Sequence, residues 1–321
     1  MRAVTYRRYG SPDVLELVEA PKPAPGPEQV LVRVQAASVN PIDWHFMRGS
    51  PAAVRLMTGP LRPKDGRLGR DLAGVVEAVG SNVSRFRPGD EVFGAAPGTV
   101  AEYVSARADR LAAKPENITF EQAAAVPVAA LTALQGLRDK GRLRAEQKVL
   151  VIGAAGGVGT FAVQIAKAFG AEVTGVCSTR NVEMVASIGA DRVVDYTRED
   201  FAEGEARYDV ILDCIGDHSL SDYRRVMNAK GIHVGVGGSG GTLRVLLDFV
   251  TATVVSAFVS QRFVGFVAAI KGADLDAVAE LMQSGKVTPV VDRTYPLEQA
   301  ADAVRYLETG HARGKVVVTI R

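Results

Sequence analysis

The feature that most constrains how this chain folds is a cluster of glycines set between an apolar run and a helical one. After Lys148–Ile152 come Gly153-Ala154-Ala155-Gly156-Gly157-Val158-Gly159 and then TFAVQIAKAFG. The cluster reads as GxxGxxG, or as a GxGxxG fingerprint with Ala154 in the first position. A pyrophosphate demands small residues that let the backbone come close, and a helix N-terminus that faces the anion. Gly156, Gly157, Val158 and Gly159 are therefore the candidate phosphate-cradling residues. Alone, such a run is only a tight turn. Here a strand precedes it, a helix follows, and a second strand, AEVTGVC, arrives within ~30 residues, which is the setting of a dinucleotide site.

The same texture continues beyond it. The apolar runs RVVDY, YDVILDC, GIHVGV and RFVGFV alternate with helical stretches such as Asn181–Ile188. Six short strands with helical connectors predict an α/β unit built on a doubly wound parallel sheet, with its ligand along the carboxyl ends of the strands. An Asp or Glu ~20 residues past the fingerprint binds a ribose 2′-hydroxyl, whereas an Arg accommodates a 2′-phosphate. The run at that point is Cys177-Ser178-Thr179-Arg180, without a carboxylate. Ser178, Thr179 and Arg180 accordingly predict NADPH rather than NADH; without a ligand, Arg180 is a solvated residue at a helix start. Tyr196, Cys214, Gly237 and Phe266 stand at the ends of other strands and complete the expected cofactor site, with the nicotinamide arriving near Gly237.

Roughly the first 120 residues have a different texture, with the strand-like runs Val30–Ala36, Leu72–Val79, Glu91–Phe93 and Glu102–Val104 punctuated by Pro and Gly. That is the pattern of a partly open barrel. Glu121–Lys140 predicts an alanine-rich helix interrupted by Pro127. The C-terminus adds a helix, Leu297–Thr309, and a strand, Lys315–Ile320, expected to rejoin the first domain because a six-stranded dinucleotide fold is complete without them.

Composition narrows the ligand. Lys and Arg total 38 against 36 Asp and Glu, with no run of five like charges, so a small molecule rather than nucleic acid is the expected partner. Two cysteines, Cys177 and Cys214, exclude a disulfide framework and a cysteine-rich zinc lobe, and suit a cytoplasmic location. The N-terminal MRAVTYRRYG lacks the ~7–15 apolar residues of a secretory signal. Leu246–Ile270 approaches the ~20 residues of a membrane span. Asp248, Gln261 and Arg262 interrupt it, and a charge at the bilayer centre costs ~2.5–3.5 kcal/mol. A buried helix followed by a buried strand, apolar because it meets another subunit, is the expectation.

Taken end to end, the chain resembles the medium-chain dehydrogenase/reductase superfamily, in its zinc-independent quinone oxidoreductase (zeta-crystallin-like) branch. The resemblance is carried by VLVRVQAASVNPIDWHFMRG, GRDLAGVVEAVGSNVSRFRPGDEVFG, AALTAL, VLVIGAAGGVGTFAVQIAKAFGAEV, GADRVVDY and LEQAADAVRYLETGHARGKVVV. It implies a GroES-like β-barrel catalytic domain from 1–121 and 288–321, around a Rossmann NADP(H)-binding domain of 122–287. It also implies NADPH-dependent reduction and a homodimer or homotetramer, of which a homodimer is the expected state. In the zinc alcohol dehydrogenases of that superfamily a Cys stands at the position matched by Asn40, a His-Glu pair at Arg70-Asp71, and another Cys near Val128. None of these ligands is present, and His45, His218, His233 and His311 are scattered without ligand spacing, so no metal is expected.

The expected chemistry is hydride transfer from NADPH to a quinone or to the β-carbon of an α,β-unsaturated ketone or aldehyde. Asn40 is the candidate donor to the acceptor's developing oxyanion, unless its side chain serves the SVNP turn. Asp43, with His45, is a candidate proton source, and Thr132 a candidate contact to the nicotinamide. Three alternatives stay open. An enoyl-thioester reductase suits the basic stretch Arg55, Arg62, Lys64 and Arg67. A zinc-free alcohol dehydrogenase-like protein and a non-catalytic NADPH-sensing or RNA-associated protein are the others.

Overall fold

Strands that are apolar on both faces need cover on both sides, and parallel pairing with helical crossovers supplies it. In the computed structural model, which describes residues 1–236 and 260–320, the chain divides into two compact units. One comprises Met1–Val128, Ile270–Ser284 and Pro289–Arg321; the other comprises Ala129–Ala269 and Gly285–Thr288.

The second unit holds a six-stranded sheet in the order Arg192–Asp195, Glu172–Cys177, Lys148–Ile152, Tyr208–Asp213, Met227–Gly235, Arg262–Gly265. Every neighbouring pair is parallel. Val149, Leu150 and Val151 at its centre are fully buried, each such side chain stabilising by about 1.5–3 kcal/mol. The helix Gly157–Ala168 returns the chain from the first strand to the second. The expected helix Asn181–Ile188 is a short turn, Thr179–Asn181, followed by the helix Val182–Ser187. Of the apolar segment 246–270, the expected helix lies outside the described residues, and the strand is Arg262–Gly265, in which Phe263 alone is buried, against the expectation of a buried strand. No helix among the described residues is long and apolar enough to cross a membrane.

The first unit holds a seven-stranded sheet beside a two-stranded antiparallel one, Arg2–Thr5 with Glu16–Glu19. Val291–Pro296, Lys315–Thr319, Gln29–Val39, Asp71–Val79, Glu91–Ala95 and Leu111–Ala113 lie side by side, and Tyr103–Arg107 pairs with Gln29–Val39. Only Val291–Pro296 and Lys315–Thr319 run parallel to each other. Val30, Val32, Val34, Leu72, Val316 and Val318 form its core. The C-terminal strand joins this sheet antiparallel to Gln29–Val39, Val316 opposite Val39 and Val318 opposite Ala37.

Pro127 acts as a proline at a first helical turn acts. The stretch 121–140 becomes the helix Phe120–Ala124, a new helix Pro127–Gln135 and a wide turn Gly136–Lys140. Thr119 and Gln122 cap the first of these reciprocally, Gln122 N donating to Thr119 Oγ1 and Thr119 N to Gln122 Oε1. The division into units falls at Val128 rather than at 121 and returns 270–284 to the barrel unit. The helix Gly272–Gln283 packs on Leu111–Ala113 there, and Asn117 Nδ2 donates to Met282 O.

Candidate functional site

The glycine turn sits where the sheet needs it. Gly153 follows the first strand at φ 77°, and a side chain at Gly159 would place its Cβ 2.1 Å from Gly153 O, so only glycine lets helix and turn approach this closely. Gly156 is the N-cap of Gly157–Ala168, and among the described residues no side chain caps that helix and its first turn contains no acidic residue. Among those residues nothing offsets the roughly half-unit positive charge of that helix end. Gly156, Gly157 and Val158 are half-buried at that end. This cradle fits the pyrophosphate of a dinucleotide.

The other expected cofactor residues follow along the carboxyl edge of the same sheet. Ser178, Thr179 and Arg180 leave the second strand, with Thr179 and Arg180 exposed. Their own run holds no carboxylate, yet the fold brings one from the third strand, because Asp195 lies in register with Cys177. Thr179 Oγ1 donates to Asp195 Oδ2 at 2.6 Å, and Thr197 adds N and Oγ1 to Oδ1 at 3.0 and 2.8 Å. These bonds, that from Thr179 foremost, hold the Asp195 carboxyl below the ordinary carboxylate range. The expectation of a tip free of carboxylates is thus corrected, and the Thr179 hydroxyl faces Asp195. Asn181 Nδ2 donates to Ser178 Oγ, while its Oδ1 is buried without a partner. Tyr196 is 61% exposed, its backbone N bonded to Cys177 O.

At the fourth strand Cys214 is half-buried, and burial with the neighbouring Asp213 pushes its thiol pKa far up; burial likewise raises Cys177 to about 11. Neither is a thiolate at neutral pH. Asp213, which the sequence reading did not single out, builds the strand end. It accepts bonds from Tyr223 Oη at 2.6 Å and from the backbone N of Ile215 and Gly216 at 2.9 Å, with His233 Nε2 at 3.3 Å. Burial raises its pKa, but His233 and these donors outweigh that and lower it. Phe266 lies just past the sixth strand, half-buried, with Lys140 Nζ 5.7 Å from its ring centroid. Thr132 is half-buried in Pro127–Gln135. Gly237 lies outside the described residues.

The barrel unit carries a second polar centre, and it is buried. Asp71 opens its strand completely shielded from solvent. Its Oδ2 accepts from Ser38 Oγ at 2.9 Å, Asn40 Nδ2 at 2.9 Å and Lys315 Nζ at 3.2 Å, and its Oδ1 accepts from Val128 N at 3.0 Å. Lys315 Nζ also donates to Asn40 Oδ1. Lysine only donates and a carboxylate only accepts, so the Asn40 amide has one possible orientation, with one of its two N–H groups beyond the bond to Asp71. Asn40 therefore joins this network while also heading the helix Pro41–Arg48, where it and Asp43 form a reciprocal capping box. Ser38 and Lys315 escaped the sequence reading; the signal for Lys315 was a charge heading the apolar run VVVTI.

Asn40 N donates to Asp43 Oδ2 at 2.7 Å as the helix Pro41–Arg48 begins. Burial pushes Asp43 up to about 7; the Asn40 bond lowers it, Asp71 raises it, and Arg70 and Lys315 lower it. His45 stacks on Trp44 and its Nδ1 lies 2.7 Å from Ser50 O. Beside Asp43 is a cavity of about 210 Å³, whose lining includes Tyr6, Phe46, Lys64, Arg67 and Arg70. Burial first, then Asp43, raises the Tyr6 hydroxyl to about 12.

An alcohol dehydrogenase GroES-like domain model matches residues 26–116 and a zinc-binding dehydrogenase model residues 188–318. The mouse NAD(P)H oxidoreductase RTN4IP1, mitochondrial, is 36% identical over 92% of this chain and 82% of its own. The Arabidopsis thaliana NADPH-dependent alkenal/one oxidoreductase, chloroplastic, is 37% identical over 99% of this chain and 79% of its own. The quinone oxidoreductase of Coxiella burnetii superposes with a TM-score of 0.87 at 33% identity, covering 100% of this chain and 99% of that one. The chain belongs to the medium-chain dehydrogenase/reductase superfamily, in its quinone oxidoreductase branch, with a GroES-like domain and a Rossmann-like parallel sheet.

Zinc, which the second family model's name implies, does not fit the side chains here. The matched positions hold an amide, a guanidinium, a carboxylate and a valine: Asn40, Arg70, Asp71 and Val128. The one carboxylate already accepts four donors, among them an ammonium. Zinc sites want three or four unprotonated Cys, His or carboxylate ligands, and no group of three such side chains is gathered among the described residues.

Proposed function

We propose that this protein is an NAD(P)H-dependent oxidoreductase that uses NADPH to reduce a quinone or the β-carbon of an α,β-unsaturated ketone or aldehyde, without zinc. The observation that carries the reading is that one chain holds both a glycine-rich helix start, which no side chain caps among the described residues, and, in its barrel unit, a buried Lys315–Asp71–Asn40 network. The bound nicotinamide would supply the hydride. Gly156, Gly157, Val158 and Gly159 would hold its pyrophosphate, and Ser178 and Arg180, with Tyr196, would hold the adenosine end. The remaining N–H of Asn40, fixed in direction by Lys315 and Asp71, would donate to the acceptor oxygen as negative charge develops there. Asp43, which burial favours in its neutral form, would give its carboxyl proton to the enolate or hydroquinone anion left by hydride addition.

NADPH is favoured over NADH by Arg180 and by the similarity to the NADPH-dependent Arabidopsis relative, while Asp195 has its charge engaged by Thr179 and Thr197. A spectrophotometric screen of NADPH oxidation over quinones, enones and enoyl thioesters tests the reading, with NADPH and NADH dissociation constants measured alongside. Turnover of at least one quinone or enone with NADPH bound more tightly is expected. Absence of turnover with any acceptor would favour a non-catalytic binding protein, and equal or tighter NADH binding would remove the cofactor assignment.

A further inference from the structure

The charges around the barrel-unit cavity do not balance. Of the basic stretch 55–67, Arg55 turns away, its Nε donating to Gly49 O and its guanidinium over the Tyr9 ring. Arg67 reaches the cavity but is forked onto Asp65, Nε to Oδ1 at 2.8 Å and Nη2 to Oδ2 at 2.7 Å. Lys64 and Arg70 also line the cavity, and among the described residues neither has a side-chain hydrogen bond or an ion pair. The Arg70 guanidinium lies 4.7 Å from the Phe46 ring centroid, a contact that leaves its donor edge open. The remaining carboxyl is Asp43, which burial favours in its neutral form and whose Oδ2 takes the Asn40 N–H. Apolar wall comes from Phe46, Met57 and Leu68. The cavity of about 210 Å³ has room for several waters or a small organic acid.

We infer that this cavity is an anion subsite, in which Arg70 and Lys64 hold an anionic oxygen group of the electron-poor acceptor, a carboxylate or a phosphate, while Phe46, Met57 and Leu68 pack its carbon skeleton. The inference rests on the enone-reductase reading for the reaction, and the cavity itself supplies the specificity. Fork-shaped guanidinium recognition suits a carboxylate or phosphate better than a neutral carbonyl.

The test compares kcat/KM with NADPH for benzalacetone, for the same enone bearing a para-carboxylate, and for crotonyl-coenzyme A. In parallel, hydrocinnamate titrates the fluorescence of Trp44, the single tryptophan of the chain, which shares a helix with Asp43 and Phe46. An anionic acceptor is expected to exceed benzalacetone by about tenfold or more, the scale of one charge-assisted bond. That ratio should collapse in Arg70→Met and shrink in Lys64→Met, whose exposed position guards against a folding defect. Preference for the carboxylated enone identifies a small acid as the source; preference for the thioester identifies carrier phosphate. Equal kcat/KM across the three, or a preference that survives both substitutions, overturns the subsite. If no acceptor is turned over but hydrocinnamate saturates the Trp44 signal and Arg70→Met weakens it, the reaction falls and the subsite stands.

Discussion

Replacing Lys315 by Met keeps the stem that packs in the barrel core and deletes the ammonium. The Asp71 carboxylate, with no solvent exposure, would then retain only Ser38, Asn40 and Val128 N as partners. Removing one partner of a buried ion pair costs about 3–5 kcal/mol, because the other charge is left uncompensated. At roughly 2–4 °C per kcal/mol for a unit of this size, the melting temperature should fall by on the order of 10 °C. The double variant Asp71→Asn/Lys315→Met removes both charges and should recover much of that loss, as neutral replacements of buried pairs do. Urea unfolding followed by circular dichroism and Trp44 fluorescence, run as a double-mutant cycle, separates the pair from its surroundings. A coupling of about 2 kcal/mol or more is expected. Coupling within about 0.5 kcal/mol, the range for independent sites, would refute the claim that Lys315 and Asp71 form one unit and, with it, the fixed orientation of Asn40. Lys315→Arg should keep part of the stability and turnover that Lys315→Met loses.

Three further outcomes follow from the same geometry. Gly159→Ala must push Cβ into Gly153 O, so NADPH affinity by fluorescence titration should weaken by at least about tenfold, roughly 1.4 kcal/mol; an unchanged dissociation constant contradicts the cradle. Asn40→Ala should lower kcat while leaving NADPH affinity nearly unchanged, and unaltered turnover takes Asn40 out of the reaction. Asp43 is raised to about 7 in the folded chain, against about 3.9 for a free side chain. Between those values the native state binds the extra proton, so stability falls as pH rises from about 4 to 7, by at most roughly 4 kcal/mol. In Asp43→Asn that fall should vanish from a series of urea midpoints; an identical slope in both proteins would mean that Asp43 is ionised throughout.

Much of the cofactor unit was legible because its signals are local. A glycine turn between a strand and a helix, and apolar runs at regular intervals, depend on neighbours a few residues apart, and five of the six strands lie within a residue or two of their sequence limits apart from Met227–Gly235, which starts earlier. What escaped is non-local. Lys315 and Asn40 are 275 residues apart in the chain, and only the antiparallel pairing of Lys315–Thr319 with Gln29–Val39 brings them together. Asp195 meets Thr179 through strand register, which no spacing rule from the fingerprint counts. Val291–Pro296 went unread because VDRTYP is mostly half-exposed or exposed and carries no apolar alternation. The basic stretch 55–67 read as one patch; the fold splits it, pairing Arg67 with Asp65 and leaving Lys64 at the cavity.

The proposed reaction is hydride transfer from a bound nicotinamide to carbon, aided by a buried amide in place of a metal. NADPH deuterated at the transferring carbon, incubated with the protein and the best enone from the screen, puts that claim to one reading by mass spectrometry and proton NMR of the product. Deuterium at the β-carbon of a saturated ketone, undiminished by prior treatment with a zinc chelator, is the predicted result. Deuterium on the carbinol carbon of an allylic alcohol, or activity abolished by the chelator and restored by zinc, would contradict it.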